Sequence, residues 1–498
     1  MASSLESLSP ELLLSILQSL SSAKDLLSAI TASPRLYRIF RTYRNSITAA
    51  VLRRAVLGTE SDFLAAYHAQ HIWAFVPEHN DDTRLYNRVP IPQSVKEQLR
   101  EETVSLRELS KSDLREEWRT ITPDSKILPR LWKFYVRFEH FVRLYSSNAL
   151  AALQQPTINA GATISDAPPL SSAEESRLRA AFFRFEIYTC LFQVSQITGQ
   201  DISQYYEPPD DDPAPDYLGA HYSWEVEQLS CVGQFYVELI RKLCDAMEDD
   251  FVAAVKEKST AHSNSSPHKE ALTQELNNLS LWLDYFCLHW YEESHKLRDR
   301  ARHIDYLVSR GLGALWKLTG APLKTVRRRV VRTHFMSRNK CSIMQVLRWT
   351  TPRAGADEHD LALEKHACAS STSTPCYGWL CARETMDSWT SNAPCNYDLR
   401  SQGYVFWDRA RIQDLQQFRH PRARVEGMAF KQYPAGYRSH SEEYRIDVEL
   451  EGVAIRKDAI GEIADEINER SSAVDGDASD SDEEEEDTPY VISWRDDL

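Results

Sequence analysis

The sequence has no run of about 18 uncharged apolar residues, the length a membrane-spanning helix needs. Its nearest approach, Leu279–Tyr291, is broken by Asp284. No Cys-x-x-Cys pair occurs among the nine cysteines, which fall at irregular spacings. An odd, irregular set suits free thiols in a reducing compartment better than a disulfide framework. The loops that mark nucleotide binding and acyl transfer are also missing: there is no Gly-x-x-x-x-Gly-Lys, no Gly-x-Gly-x-x-Gly and no Gly-x-Ser-x-Gly. Gly311-Leu312-Gly313 is a bare Gly-x-Gly and reads as a helix end. No basic region precedes the first apolar stretch, which Glu6 and Glu11 interrupt, so no secretory signal is expected. The expected location is cytoplasmic and/or nuclear.

Metal-ligating spacing is lacking too. His359, His366, Cys368, Cys376, Cys381 and Cys395 share one stretch, but the cysteines are separated by 7, 4 and 13 residues. Zinc ligands usually come as pairs two to four residues apart, each pair held by one turn. Ordinary reduced cysteines in a long surface excursion, His359–Pro394, are therefore expected, with no metal and no cofactor. A basic excess is missing as well. Arg327-Arg328-Arg329-Val330-Val331-Arg332 is a basic run, but its surroundings have no basic footprint, so it reads as a solvated helix face and nucleic acid is not expected as a partner.

The net charge of −15 is unevenly spread. From Ser471 to Leu498 there are 11 acidic residues and one Arg, which leaves a net charge of −5 on the other 470 residues. The acidity thus describes a tail, expected to be disordered. Within it Ser479 and Ser481, each followed by acids, have the look of acidophilic phosphorylation sites.

What the sequence does hold is apolar surface at its start. Ser9 and Pro10 suit the cap and the first position of a helix, with Leu8 and Leu13 placed as a hydrophobic staple. At about 100° per residue, Leu12, Leu13, Ile16, Leu17 and Leu20 sweep about 140° of that helix, and Leu14 widens it further. A helix serving one core needs a stripe only slightly wider than about 100°. A second segment opens with the capping-box pattern Ser22-Ala23-Lys24-Asp25 and continues through Leu26, Leu27 and Ile30. The third opens at Ser33-Pro34 and puts Leu36, Phe40, Tyr43, Ile47 and Val51 on one face. Three helices in about 50 residues cannot bury so much apolar area among themselves. A partner or the rest of the chain must cover the surplus.

Leu8-Ser9-Pro10-Glu11-Leu12, Ile16-Leu17, Leu20, Asp25-Leu26-Leu27, Ser33-Pro34 and Phe40 together resemble an F-box, the module that docks on a Skp-family adaptor of cullin ubiquitin ligases. Ser9 stands where that family most often has Pro. Aromatic blocks at Phe182–Phe192, Trp224–Phe235 and Gly403–Arg411 resemble the bodies of filamentous-fungal F-box-like proteins. The resemblance implies a non-catalytic adaptor that bridges an unknown protein substrate to a Skp-family adaptor, with other subunits transferring ubiquitin. Leu8, Pro10, Leu12, Ile16, Leu17, Leu20, Leu26 and Leu27 are the residues it assigns to docking. The alternative is an interaction protein whose F-box-like module packs on its own body, without ligase association.

A mostly α fold follows from the periodicities, with little β. The expected organisation is a three-helix F-box-like module at 1–57, a large irregular helical body at 58–470 that would recognise substrate, and the acidic tail at 471–498. Leu128–Leu153 places Leu131, Phe134, Tyr135, Phe138, Phe141, Val142 and Tyr145 at helical spacing. Ser172–Gln196 and Ser223–Met247 read as further helices, and Tyr444–Val453 alternates as a short strand would.

Overall fold

The computed structural model describes residues 8–71, 109–158, 169–197, 221–262, 306–321, 376–379 and 396–412, with isolated positions at 94, 97, 98, 101, 104, 105 and 304. Among these residues all regular structure is helical, with no strand, as the 3.6-residue periodicities predict. The expected strand at 444–453, the basic run at 327–332, Ser479, Ser481 and the acidic tail lie outside the described residues.

Four helices open the chain: α1 (Pro10–Ser19), α2 (Ala23–Ala32), α3 (Pro34–Thr42) and α4 (Arg44–Ala55). The caps at Ser22 and Ser33 form as their spacing predicts. Ser22 Oγ accepts from the Asp25 N–H at 3.0 Å, and Ser33 Oγ accepts from Arg35 and Leu36 N–H at 3.3 and 3.4 Å. Caps of this kind contribute about 1 kcal/mol each. Ser9 differs. Its carbonyl accepts from the Leu13 N–H at 3.1 Å, but its hydroxyl caps no backbone group. It bonds instead to the Glu11 carboxylate, and this bond chiefly lowers the Glu11 pKa.

The third segment is two helices rather than one. At Tyr43 the backbone leaves helical geometry (φ −114°, ψ 27°). A straight helix would spread Leu36 to Val51 over about 22 Å, whereas ten-residue α1 is only about 15 Å long. Breaking at Tyr43 lets Leu36 and Ile39 reach α1 from one direction and Ile47 and Val51 from another. The core formed by Leu13, Leu17, Leu26, Leu36, Ile39, Ile47 and Val51 therefore has four walls, with Trp132 packed on its edge.

The body begins after a turn at Gly58, whose φ of +82° is left-handed. Its main elements are α5 (Glu60–His71), α6 (Lys111–Thr120), α7 (Leu128–Ile158), α8 (Ser172–Ile197), α9 (Ser223–His262) and α10 (Gly311–Thr319). A C-terminal block adds α11 (Asn396–Ser401), a 3-10 turn (Tyr404–Phe406) and the short α12 (Arg409–Ile412). Helix α5 packs against both α6 and α8. Its small Ala66 and Ala69 are fully buried beside Phe63 and Leu64, which permits the close approach. All seven apolar positions read at helical spacing in α7 are buried. They interlock with α8 and α9 through edge-on and tilted ring pairs, including Phe138–Phe183 at 4.3 Å and Tyr145–Phe235 at 5.2 Å between centroids. Helix α8 starts from a capping box in which the Ser171 N–H donates to Glu174 Oε2 at 2.9 Å and the Glu174 N–H donates to Ser171 Oγ at 3.2 Å.

By compactness the chain divides into two units. One comprises Met1–Lys242, Arg298–Gly320 and Thr333–Tyr437; the other comprises Leu243–Leu297, Ala321–Arg332 and Arg438–Leu498. Every site considered below lies in the first unit, which holds the N-terminal helices together with most of the body. Among the described residues no helix is long and apolar enough to cross a membrane.

Candidate functional site

The eight residues assigned to docking separate into two groups. Leu17 and Leu26 are 0% and 2% exposed and belong to the module's own core. They are corrected here from docking to structural positions, because α1 and α2 must bury one stripe each for the four helices to hold together. Leu12 is 54% exposed, and Pro10 is also exposed. Leu8, Ile16, Leu20 and Leu27 are partly exposed. Leu12, Ile16 and Leu20, four residues apart, form a row along α1 beside the buried pair Leu13 and Leu17.

Two hydrogen bonds orient this surface. Arg35 Nη2, at the start of α3, donates to the Leu8 carbonyl at 2.8 Å. Gln18 Nε2, near the end of α1, donates to Ser46 Oγ in the first turn of α4 at 2.9 Å. Helices α1 and α3 therefore run side by side in the same direction. The body also closes on the module: Trp132 packs on the module core and Arg53 Nη2 donates to the Ile121 carbonyl at 2.5 Å.

Below the module lies a set of buried charges that no sequence motif announces. Arg400 donates through Nε and Nη2 to the two oxygens of Glu227 at 2.7 and 2.8 Å, with side chains 8% and 6% exposed. Tyr404 Oη donates to the same carboxylate at 3.1 Å. Burial alone would lower the Arg400 pKa, but Glu227 beside it outweighs this and raises it. Arg411 makes a forked pair with Glu174 at 2.9 and 2.7 Å. Arg177 donates twice to the Phe406 carbonyl, at 3.0 and 2.8 Å, and pairs with Asp408. Between these clamps Tyr404, Val405, Phe406 and Trp407 are all fully buried. The aromatic block at Gly403–Arg411 is the keystone of α7, α8 and α9.

Residues 376–379, expected in a surface excursion, sit beneath this keystone. Cys376 and Trp379 are 3% and 1% exposed, and the Gly378 N–H donates to the Trp407 carbonyl at 3.4 Å. A side chain at Gly378 would collide with the Tyr404 carbonyl, so a glycine is what lets the two backbones meet. Cys376 carries a thiol whose pKa burial pushes up to about 11. No group of three or more His, Cys, Asp or Glu placed to hold a metal occurs among the described residues. His359, His366, Cys368, Cys381 and Cys395 lie outside them.

Two buried carboxylates behave oppositely. Burial would raise the Glu225 pKa, but a hydrogen bond from His221 and the charge of Arg184, 2.6 Å away, bring it down to about 2. Among the described residues the donors to Glu186 are neutral: Gln70 Nε2 at 2.6 Å and the Leu312 N–H at 2.7 Å. Burial pushes it up to about 7; burial first, and then the charge of Glu186, raise the pKa of Tyr236 on α9. Gly311 is left-handed (φ +76°), and a Cβ there would stand 3.2 Å from both Glu186 oxygens. The Gly-Leu-Gly segment therefore starts a helix rather than ending one.

Between pH 4.5 and about 7 the folded chain holds a Glu186 proton that the unfolded chain has released. Stability from this group falls as pH rises through that window. Glu186→Gln is expected to remove about 2–3 kcal/mol of the loss between about pH 5 and pH 8. Urea unfolding midpoints at both pH values measure it, and equal losses in variant and wild type would exclude Glu186 as the titrating group.

A polar cavity of about 30 Å³ opens beside Asp62, Arg177, Arg184, Glu225 and Gln228. That is room for one or two waters, far below the roughly 300–1,000 Å³ of a small-molecule site. Compared with protein-family models, curated proteins and solved structures, the chain matches none of them.

Proposed function

We propose that this chain is a non-catalytic adaptor: its F-box-like N-terminal module docks on a Skp-family adaptor of a cullin ubiquitin ligase, and its helical body presents a protein substrate. One observation carries the reading. Leu12 stays more than half exposed on a helix whose Leu13 and Leu17 are buried in the module core, with Leu14, Ile16 and Leu20 packed against that core. Leu12 leaves roughly 1.5–3 kcal/mol of burial unused, and the half-buried Ile16 and Leu20 beside it would add to what a partner could cover. Catalysis would then be proximity alone, with the adaptor holding substrate near another subunit's conjugating enzyme. Such work belongs in the cytoplasm or nucleus.

Co-purification with a Skp-family adaptor tests the proposal. Leu12→Asp is expected to weaken capture by on the order of tenfold or more, while changing stability by no more than about 0.5 kcal/mol, as an exposed position should. Leu17→Asp is no surface control, since it buries a charge in the module core. Wild-type protein that captures no adaptor sinks the ligase reading.

A second reading, in which the module packs only on its own body, draws on Trp132 and the Arg53–Ile121 hydrogen bond. These contacts leave Leu12 exposed, so the two readings differ in whether Leu12→Asp has any binding phenotype.

A further inference from the structure

Helix α10 has no cap of its own. Arg310 before it makes no side-chain cap hydrogen bond, and the first N–H groups of a helix find no partner inside it. Glu186 supplies one from α8, accepting the Leu312 N–H at 2.7 Å. The same carboxylate accepts from Gln70 Nε2 of α5 at 2.6 Å. One buried side chain, 4% exposed, therefore ties α5, α8 and α10 together. The fit is close: Gly311 is left-handed, and a Cβ there would crowd both carboxylate oxygens at 3.2 Å.

No cation completes this arrangement. Among the described residues the groups acting on Glu186 are Gln70 and Leu312, both neutral. The titratable groups on the surrounding helices are engaged differently. Arg184 on α8 pairs with Asp62 and Glu225, and His71 follows Gln70 on α5 with its pKa held low chiefly by burial. Tyr236 on α9 is itself buried. On α7 the His140 ring meets Trp316 of α10 edge-on, 5.2 Å between centroids, and Lys317 of α10 is exposed. A carboxylate shut away from water without a counter-ion favours its neutral form. The α10 dipole and the two donors pull the other way, and burial outweighs them.

We infer that Glu186 is a proton-operated latch on the start of α10. Protonated, it holds the helix closed on α5 and α8; once ionised, it favours a local opening of the first turn of α10 that lets water reach the carboxylate. That turn is the short route to solvent. Gly311 and Gly313 flank the contact, and a Cβ at Gly313 would meet nothing within 4 Å, so one side of the turn faces open space. Leu312, Leu315 and Leu318 are buried and keep the open state a minority. Linkage sets the direction. A solvated Glu186 has its ordinary pKa of 4.5, and the closed one about 7. Between those values only the open state releases the proton, so opening is expected to grow about tenfold per pH unit, about 300-fold in all, and to level off above.

Hydrogen exchange of the full chain, followed by mass spectrometry and corrected for the base catalysis of the amides themselves, tests the latch. In wild type the peptide covering α10 is expected to lose protection about tenfold per unit between about pH 5 and about pH 7, then to level off. Glu186→Gln keeps an acceptor for the Leu312 N–H and cannot ionise, so its α10 protection should stay nearly flat. His71 and His140 are intact in that variant, and any slope left in it belongs to them. The α7 peptide around Phe138 reports global unfolding. At about pH 7 the wild-type α10 peptide should exchange at least about tenfold faster than the α7 peptide. Equal protection of the two peptides at every pH would make the opening global and overturn the latch. No slope in wild type, or the same slope in Glu186→Gln, would overturn Glu186 as the group that operates it. The comparison of α10 with α7 needs wild type alone and stands even if the variant folds poorly.

Discussion

Replacing Arg400 by Met is expected to destabilise the body by about 3–5 kcal/mol, the cost of leaving a buried carboxylate without its counter-ion. Glu227 is 6% exposed and would keep only the Tyr404 hydroxyl, at 3.1 Å. Nothing in the clamp can rehydrate it, because Tyr404, Val405 and Phe406 seal the site at 0% exposure. The double variant Glu227→Leu, Arg400→Met removes both charges together with the cost of keeping them dry. It is expected to recover most of the loss, because a buried pair contributes little net stability against an apolar pair of similar size. Urea unfolding midpoints of wild type, single and double variants decide the matter. A double variant no more stable than Arg400→Met would mean that packing around Arg400, rather than its charge, holds the clamp.

Gly378→Ala is expected to cost about 3 kcal/mol, at the upper end of overpacking. The new Cβ would meet the Tyr404 carbonyl oxygen, with the Tyr404 carbonyl carbon 3.0 Å away. Both obstacles are backbone, so no side chain can swing aside. Relief requires residues 404–407 to move, and Trp407 with them. Tryptophan emission should shift to the red as Trp379 and Trp407, 1% and 0% exposed, admit water. Cys376, now sealed at 3% exposure, should react faster with a thiol reagent. Gly313→Ala is the control. It lies within α10, a Cβ there meets nothing within 4 Å, and the change should be neutral or stabilising by up to about 1 kcal/mol. Unchanged emission and thiol reactivity in Gly378→Ala would show that the keystone tolerates the shift.

The helices themselves were legible because their signals are local. Ser22, Ser33 and Ser171 sit within three residues of the N–H groups they cap, and the α7 aromatics repeat at three and four. The fate of individual leucines was less legible. Leu12 and Leu17 are the same residue type on one helix, and only the placement of α3 and α4 decides that one is buried and the other is not. The break at Tyr43 has a tertiary cause as well, the short length of α1. Least legible was the clamp. Asp408 and Arg411 were visible within the aromatic block, but their partners Arg177 and Glu174 are 231 and 237 residues away. No periodicity connects charges at that distance.

The clamp also sets an order of events at the ribosome. The module core spans Leu13 to Val51 and needs from beyond it only Trp132 at its edge, so it can close early in synthesis. Glu227 must wait for Arg400, 173 residues later, which at about 5–20 residues per second is roughly 10–35 s. Through that interval Glu174 and Glu227 lack the arginines that pair with them in the finished body, while the N-terminal module is already complete. A chain released before residue 400 would carry a complete module on an incomplete body, a product that quality control can recognise by what it has failed to bury.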